Sequence, residues 1–309
     1  MKENLIRNSY LNSFDIDDID GGLKDLIIIN TKCLVDDKIQ RYVYVDNNRL
    51  KDELRYYNFY GTKPSYDDIL NILLPLILSN TNIQKCEDEV VSLIQKYTKY
   101  LKKEDKLFEY ILGAVIYNAL IHYLIDNKNI EYGELLQLIK EKIIGFSIEL
   151  EKLNMIKFQM ARINAIQLID NYIDLKIDEY EDGKIIKNLL NVIYDIYIEE
   201  RNANNIGILS IKKSILSILG ENVNLNIDNI DFLEQMSHYI IKLRKYVINK
   251  KTYNLNSDPR NLIKYNEGDE VLDAILNKIN IESKNLQDNI LHIKVKSKSG
   301  EYEFKFKRA

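Results

Sequence analysis

The chain has no tryptophan, three prolines, eleven glycines, two cysteines and three histidines among its 309 residues, and each shortage removes a class of explanation. Cys33 and Cys86 are too few for a disulfide framework and lack the spacing of a metal knuckle, so two reduced thiols in a cytoplasmic protein are expected. His122, His238 and His292 cannot build a histidine-rich metal site and give Cys–His catalysis little material. So little proline and glycine does not suit a disordered or low-complexity chain. The opening "MKENLIRNSYLNSF" has no long apolar core before a small-residue cleavage site, unlike a signal peptide. Also missing are G-x-x-x-x-G-K-[ST], G-x-G-x-x-G after a strand, H-E-x-x-H and G-x-S-x-G. No cofactor and no metal are expected. These absences leave room for a carboxylate-, arginine- or tyrosine-based site.

The residues that are present describe an ordinary globular chain, 46% hydrophobic and 29% charged, long enough to bury a sizeable core. The abundance of Asn, Ile, Lys and Tyr is what an A/T-rich genome would write, so the 22 tyrosines are weak evidence for placed stacking rings. The net charge of −4 conceals an asymmetry: residues 232–309 carry 15 Lys+Arg against 10 Asp+Glu, and the remainder stands at −9. Such a split points to a polyanionic partner, or to a basic end that docks on an acidic body. The most apolar run, "YILGAVIYNALIHYLI" at 110–125, is interrupted by Asn118 and His122. It falls short of the roughly 18 residues of a membrane span and reads as a buried helix.

Periodicity predicts a mainly α protein: a multi-helix bundle with a small N-terminal α/β segment and a C-terminal β-hairpin. Residues 1–60 form the small segment, in which "DLIIINTKCLVDDKIQRYVYV" reads as a hairpin around Asp36-Asp37-Lys38 and Asp46 caps a short helix. The acidic turn "DIDDIDGG" before it lacks the glycine and closing glutamate of a calcium loop. An α-helical body occupies 61–251. Ser65 and Asp68 make a capping-box-like start, and Pro75 is expected to kink or divide the first helix. Helices follow near 83–102, 105–127, 131–154, 155–181, 184–202, 206–219 and 229–250, with Gly133, Gly183 and Gly220 as stops or turns. Residues 252–268 read as a linker, and 269–309 as a last helix plus the hairpin. The helices at 206–219 and 229–250 resemble a helix-turn-helix only loosely, because the nine residues between them exceed its usual turn.

The hairpin alternates Leu291, Ile293 and Val295 with His292, Lys294 and Lys296, then Tyr302, Phe304 and Phe306 with Glu301, Glu303, Lys305 and Lys307. Its apolar face must pack on something, with the preceding helix or the N-terminal hairpin as the expected platform. Its other face presents Lys294, Lys296, Lys305 and Lys307, flanked by Lys298 and Arg308. Together with Lys242, Arg244, Lys245, Lys250 and Lys251 these are the candidate polyanion-binding residues; edge protection is the alternative reading of the strand lysines.

An interior pocket is the second candidate. Asn118 and His122 share a helix face, and Arg162 lies in line with Met155, Phe158, Ala165 and Ile169. The alternative is a satisfied polar pair and a snorkelling arginine. Asp170, Asp174 and Asp178 form an acidic ladder expected on a solvated face. The leading expectation is a non-enzymatic binding or assembly protein whose basic C-terminal region meets nucleic acid or an acidic protein surface. The alternatives are an enzyme or small-ligand protein with an interior pocket, and a structural homo-oligomer paired through the C-terminal hairpin.

Overall fold

Asp46 begins the element that organises the molecule. Its carboxylate accepts hydrogen bonds from the backbone N–H groups of Asn48 (3.0 Å) and Arg49 (3.1 Å), fixing the start of a helix at Asn47–Tyr60. Leu50, Leu54 and Tyr57 face a large helical core, whereas Tyr56, Phe59 and Tyr60 pack into a second core under a β-sheet. The computed structural model describes residues 2–17, 21–177, 184–199, 205–224, 226–248 and 257–307.

In chain order the helices are α1 (Lys2–Asn12), α2 (Gly22–Cys33), α3 (Asn47–Tyr60), α4 (Leu74–Ser79), α5 (Ile83–Tyr100), α6 (Leu107–Asp126), α7 (Tyr132–Gly145), α8 (Lys152–Ile173), α9 (Ile185–Tyr197), α10 (Ile206–Leu219) and α11 (Ile230–Arg244). Strands β1 (Leu34–Asp37) and β2 (Tyr42–Val45) form a small antiparallel pair. Strands β3 (Glu270–Asp273), β4 (Asn277–Gln287), β5 (Ile290–Ser297) and β6 (Gly300–Lys307) form an antiparallel meander in that order. The mainly α bundle with a small N-terminal α/β part and a C-terminal hairpin is therefore the observed architecture.

Helix α6 runs through the centre of the bundle and packs against α5, α7, α8 and α9, while α1 closes the far side against α10 and α11. Among the described residues α6 is the one helix long and apolar enough to cross a membrane, and it is wrapped by the other helices along its length. The helix expected from 131 breaks at Gly145, and α8 starts afresh at Lys152.

Three local expectations fail. The "DLIIIN" run is the interior of α2, not a strand, and only its continuation from Leu34 pairs with β2. Leu26, Ile27, Ile29 and Asn30 are all buried there, so enclosure by neighbouring elements overrides the β preference of three consecutive isoleucines. Ser65 and Asp68 do not start a helix. The chain stays irregular until a 3₁₀ turn at Leu70–Leu73, and Pro75 sits in the first turn of α4, where no N–H is required of it.

Residues 270–287 are two strands, not a helix. Apolar positions 272, 275, 276 and 279 imitate a helical stripe, but Asp273 accepts from the N–H groups of Ile275 (2.7 Å) and Leu276 (2.8 Å) and folds the chain into a turn. Asp288 and Asn289, both with positive φ, then make the two-residue turn into β5. The stretch read as a linker is described from residue 257, where it is anchored on α3. Ser257 Oγ lies 2.7 Å from Tyr56 Oη, and its N–H donates to Asp52 at 2.9 Å.

Candidate functional site

The apolar side of the hairpin rests on α3, the helix of the N-terminal segment. Tyr60 meets Tyr302 with ring centroids 4.6 Å apart, Phe59 meets Phe306 at 5.0 Å, and Tyr56 meets Phe304 at 6.0 Å. Ile293, Val295 and Phe304 are fully enclosed. Arg49 fastens the same helix to the sheet by donating to the carbonyls of Ala274 (3.1 Å) and Ile275 (2.8 Å).

On the solvent side the lysines alternate with acids. The register sets Lys294 opposite Glu303 and Lys296 opposite Glu301. Lys296 reaches Glu301 at 3.1 Å and Glu282 at 3.8 Å, and Lys305 reaches Glu303 at 3.7 Å. Glu303 also meets His292 at 3.1 Å, and that contact lowers its pKa below the usual carboxylate value. Among the described residues Lys294 and Lys307 have no ion-pair partner; Arg308 lies outside them.

The basic run of α11 is distributed differently from its appearance in sequence. The exposed Lys242 faces solvent. Lys245 pairs with Glu3 at 2.7 Å. Arg244 turns inward and donates to the carbonyls of Leu78 (2.9 Å) and Asn80 at the end of α4, where its positive charge complements the helix dipole. Lys250 and Lys251 lie outside the described residues. The N-terminal half of α11, through Phe232, Gln235 and Met236, borders the hairpin turn at Lys298 and Ser299. Lys242 and Lys245 are therefore about 10–15 Å further along the helix axis, beside α4 and α1.

The three interior candidates do not meet. Asn118 donates to the Ile83 carbonyl at 3.0 Å, and His122 Nδ1 donates to the Asn118 carbonyl at 2.9 Å. Burial lowers the His122 pKa, with nearby Arg244 acting in the same direction. The Asn118 Oδ1 is buried without a hydrogen-bond partner among the described residues. Arg162 lies toward the opposite end of α6, donating to the Phe146 carbonyl at 3.1 Å and stacking over Phe158, 5.8 Å from its ring centre. Phe158 in turn touches Phe108 near the start of α6, which is ten residues and about 15 Å from Asn118. In the acidic ladder Asp170 pairs with Lys140 at 2.5 Å and Asp174 with Lys176 at 2.8 Å; Asp178 lies outside the described residues. Among the described residues no three His, Cys, Asp or Glu side chains cluster as a metal site would require.

The most conspicuous surface feature is one that the sequence reading passed over. Helix α8 uses Phe158, Ala165, Ile169 and Tyr172 to pack into the bundle. Its opposite face carries Leu153 (76% exposed), Ile156 (52%), Met160 (61%) and Ile163 (54%). These positions are spaced three, four and three residues apart, so they form one straight seam along the helix. Beside it, between α8, α9 and the start of α6, runs a groove of about 500 Å³ floored by Ala161, Ala165 and Leu168 and rimmed by Lys157 and Lys184. The 3-4-3 spacing was readable from the sequence. What hid it was the second apolar stripe on the same helix, which already satisfied the expectation of one buried face.

Compared with known protein families, with curated proteins and with solved structures, the chain matches none.

Proposed function

We propose that this protein is a non-enzymatic binding and assembly protein, and that its docking face is the outer side of α8. The exposed Leu153–Ile156–Met160–Ile163 seam carries the reading. Single exposed apolar residues need no explanation, but four aligned on a rigid helix form a contiguous patch of the kind that marks a protein interface. Leucine, isoleucine and methionine contribute no general acid, base or nucleophile, so the seam favours binding over chemistry.

A polyanion contact through the sheet is the second reading, supported by the exposed Lys294 and Lys307, which have no ion-pair partner among the described residues. It has the weaker support, because glutamates stand among the lysines and Arg244 is committed to backbone carbonyls.

The test is the size of the particle in an extract of cells producing the full chain. Wild type is expected to elute well above the 36.4 kDa of one chain. A Met160→Glu, Ile163→Glu double variant is expected to elute as a monomer with an unchanged melting temperature. A wild-type chain that elutes as a monomer, or a double variant that elutes with wild type, overturns the reading.

A further inference from the structure

We infer that the outer edge of β6 pairs with β6 of a second copy of this chain, antiparallel and in one register, joining two four-stranded sheets into one of eight strands. This contact is separate from the α8 seam and involves other residues.

The two edges of the sheet are managed differently. On one side β3 is only four residues long, and the segment before it covers the strand beyond. Gly268 N–H donates to the Ile281 carbonyl (2.8 Å), Ile281 N–H to the Asp269 carbonyl (3.0 Å), and Lys284 Nζ to the carbonyls of Ile263 (2.7 Å) and Tyr265 (2.9 Å). On the other side β6 runs for eight residues without a proline and in unbroken register with β5. The two-residue turn at Lys298–Ser299 makes Tyr302, Phe304 and Phe306 exchange their hydrogen bonds with β5. The N–H and C=O groups of Glu301, Glu303, Lys305 and Lys307 therefore point outward, and no backbone group among the described residues takes them up. Helix α3 lies beneath the apolar face and ends there at Tyr60, while Glu301, Lys305 and Lys307 stay exposed. Short edges, bulges and charges of one sign protect against edge pairing. The β6 edge is long and straight, and its charges are of both signs.

The order of those charges selects the partner. Outward-pointing residues pair only with outward-pointing residues, so antiparallel registers change in steps that keep this match. One register sets Glu301 opposite Lys307 of the second copy and Glu303 opposite Lys305, with the two-fold axis between the two Phe304 residues. All four facing pairs then carry opposite charge. One step either way sets Glu303 against Glu303, or Lys305 against Lys305. An antiparallel partner that satisfies all four positions must itself read Glu-x-Glu-x-Lys-x-Lys, which is β6. The same register gives Lys307, which has no ion-pair partner among the described residues, a carboxylate to meet.

Exposed ion pairs are weak and are screened by salt, so the dimer is expected with a dissociation constant on the order of 100 µM. It forms in concentrated protein and is unpopulated in a dilute extract. The test is analytical ultracentrifugation of the purified full-length chain carrying Met160→Glu and Ile163→Glu, which takes the α8 seam out of play. A monomer–dimer equilibrium is expected, weakening about threefold or more between 50 and 500 mM salt. On this background Glu301→Lys with Glu303→Lys makes the edge all basic, and Lys305→Glu with Lys307→Glu makes it all acidic. Each variant alone should dimerise at least tenfold more weakly, and an equimolar mixture of the two should recover the parent's dimer. Two further variants keep the net charge. Glu301→Lys with Lys305→Glu sets like against like in this register and should weaken the dimer; Glu303→Lys with Lys305→Glu keeps opposites facing and should preserve it. Unchanged melting temperatures confirm that each variant is folded.

A chain that stays monomeric at 500 µM, charge variants that dimerise like their parent, or a mixture that fails to recover the dimer overturns β6 pairing. Loss of the dimer in Glu303→Lys with Lys305→Glu overturns the register. These measurements are made without the α8 seam, so their failure leaves the docking role of α8 standing, and failure of that role leaves β6 pairing standing.

Discussion

Helices α6 and α8 are near equals in length and both lack a clear polar face, yet they occupy opposite situations. Every residue from Tyr110 to His122 on α6 is buried, because α5, α7, α8 and α9 surround it. On α8 only Phe158, Ala165, Ile169 and Tyr172 are buried, because α8 lies at the edge and has bundle on one side only. An apolar circumference thus has two outcomes. In a central helix it is consumed by the core; in a peripheral helix half of it stays exposed. Polar residues follow the same logic. His122 and Asn118 on α6 are enclosed and use helix backbone carbonyls, whereas Arg162 on α8 reaches the carbonyl of an adjoining loop.

Substitutions can break or sharpen this contrast. The largest effect is expected at the centre. Leu120→Ala, fully buried on α6, should lose about 2–5 kcal/mol of stability in urea unfolding. A loss near zero would mean that α6 is not the packed centre.

The next effect is at the α8 loop contact. Arg162→Ala removes a charged donor from the Phe146 carbonyl and should cost about 1–2 kcal/mol. If Arg162→Ala instead left stability untouched and abolished a thermal shift produced by a small anionic ligand, the interior-pocket reading would gain the support it lacks.

Protonation probes the centre again. Burial holds the His122 pKa below the 6.5 of a free imidazole. The unfolded chain therefore takes up a proton that the folded one refuses. Stability attributable to this group is complete above about pH 7 and falls as pH drops from about 6.5 toward the lowered folded value, by at most about 1.4 kcal/mol per pH unit. Urea midpoints at several pH values between 7.5 and 5 should show this slope in wild type and a shallower one in His122→Gln. Equal slopes in both proteins would mean that His122 does not carry the effect.

At the periphery the expected change is smaller still. Ile163→Ala should move monomer stability by less than about 0.5 kcal/mol, although it weakens association. The smallest effect belongs to the sheet. Replacing Lys294 and Lys307 with glutamine should change the salt dependence of binding to a short DNA duplex by no more than about two units of slope. An absence of binding at low salt, read by fluorescence anisotropy, would remove the polyanion from consideration.

Much of this molecule could be read without coordinates. The 3.6-residue spacing located α5, α6 and α10 closely, because amphipathic or wholly apolar helices of that length have no competing reading. Asp46 announced its role through chemistry that acts within one turn, whereas Pro75 opens α4 and does not kink it. Residues 270–287 were misread because short apolar runs satisfy both periods, and the choice fell to an Asp273 turn and to pairing with β5. The Ile27–Ile29 run was misread because Ile27 and Ile29 are enclosed by neighbouring elements, and that packing overrides the β preference of the run.

The candidate sites divide along the same line. Alternation alone determined that Ile293, Val295, Tyr302, Phe304 and Phe306 would share a buried face and that lysines would line the other. Only the tertiary structure decided that the buried face lies on α3, that Glu301 and Glu303 stand opposite the lysines, and that Arg244 turns inward. Sequence fixes which residues share a face, since that depends on a backbone repeat. Which faces meet, and which is left over on α8, depends on where distant segments pack, and no local spacing encodes that.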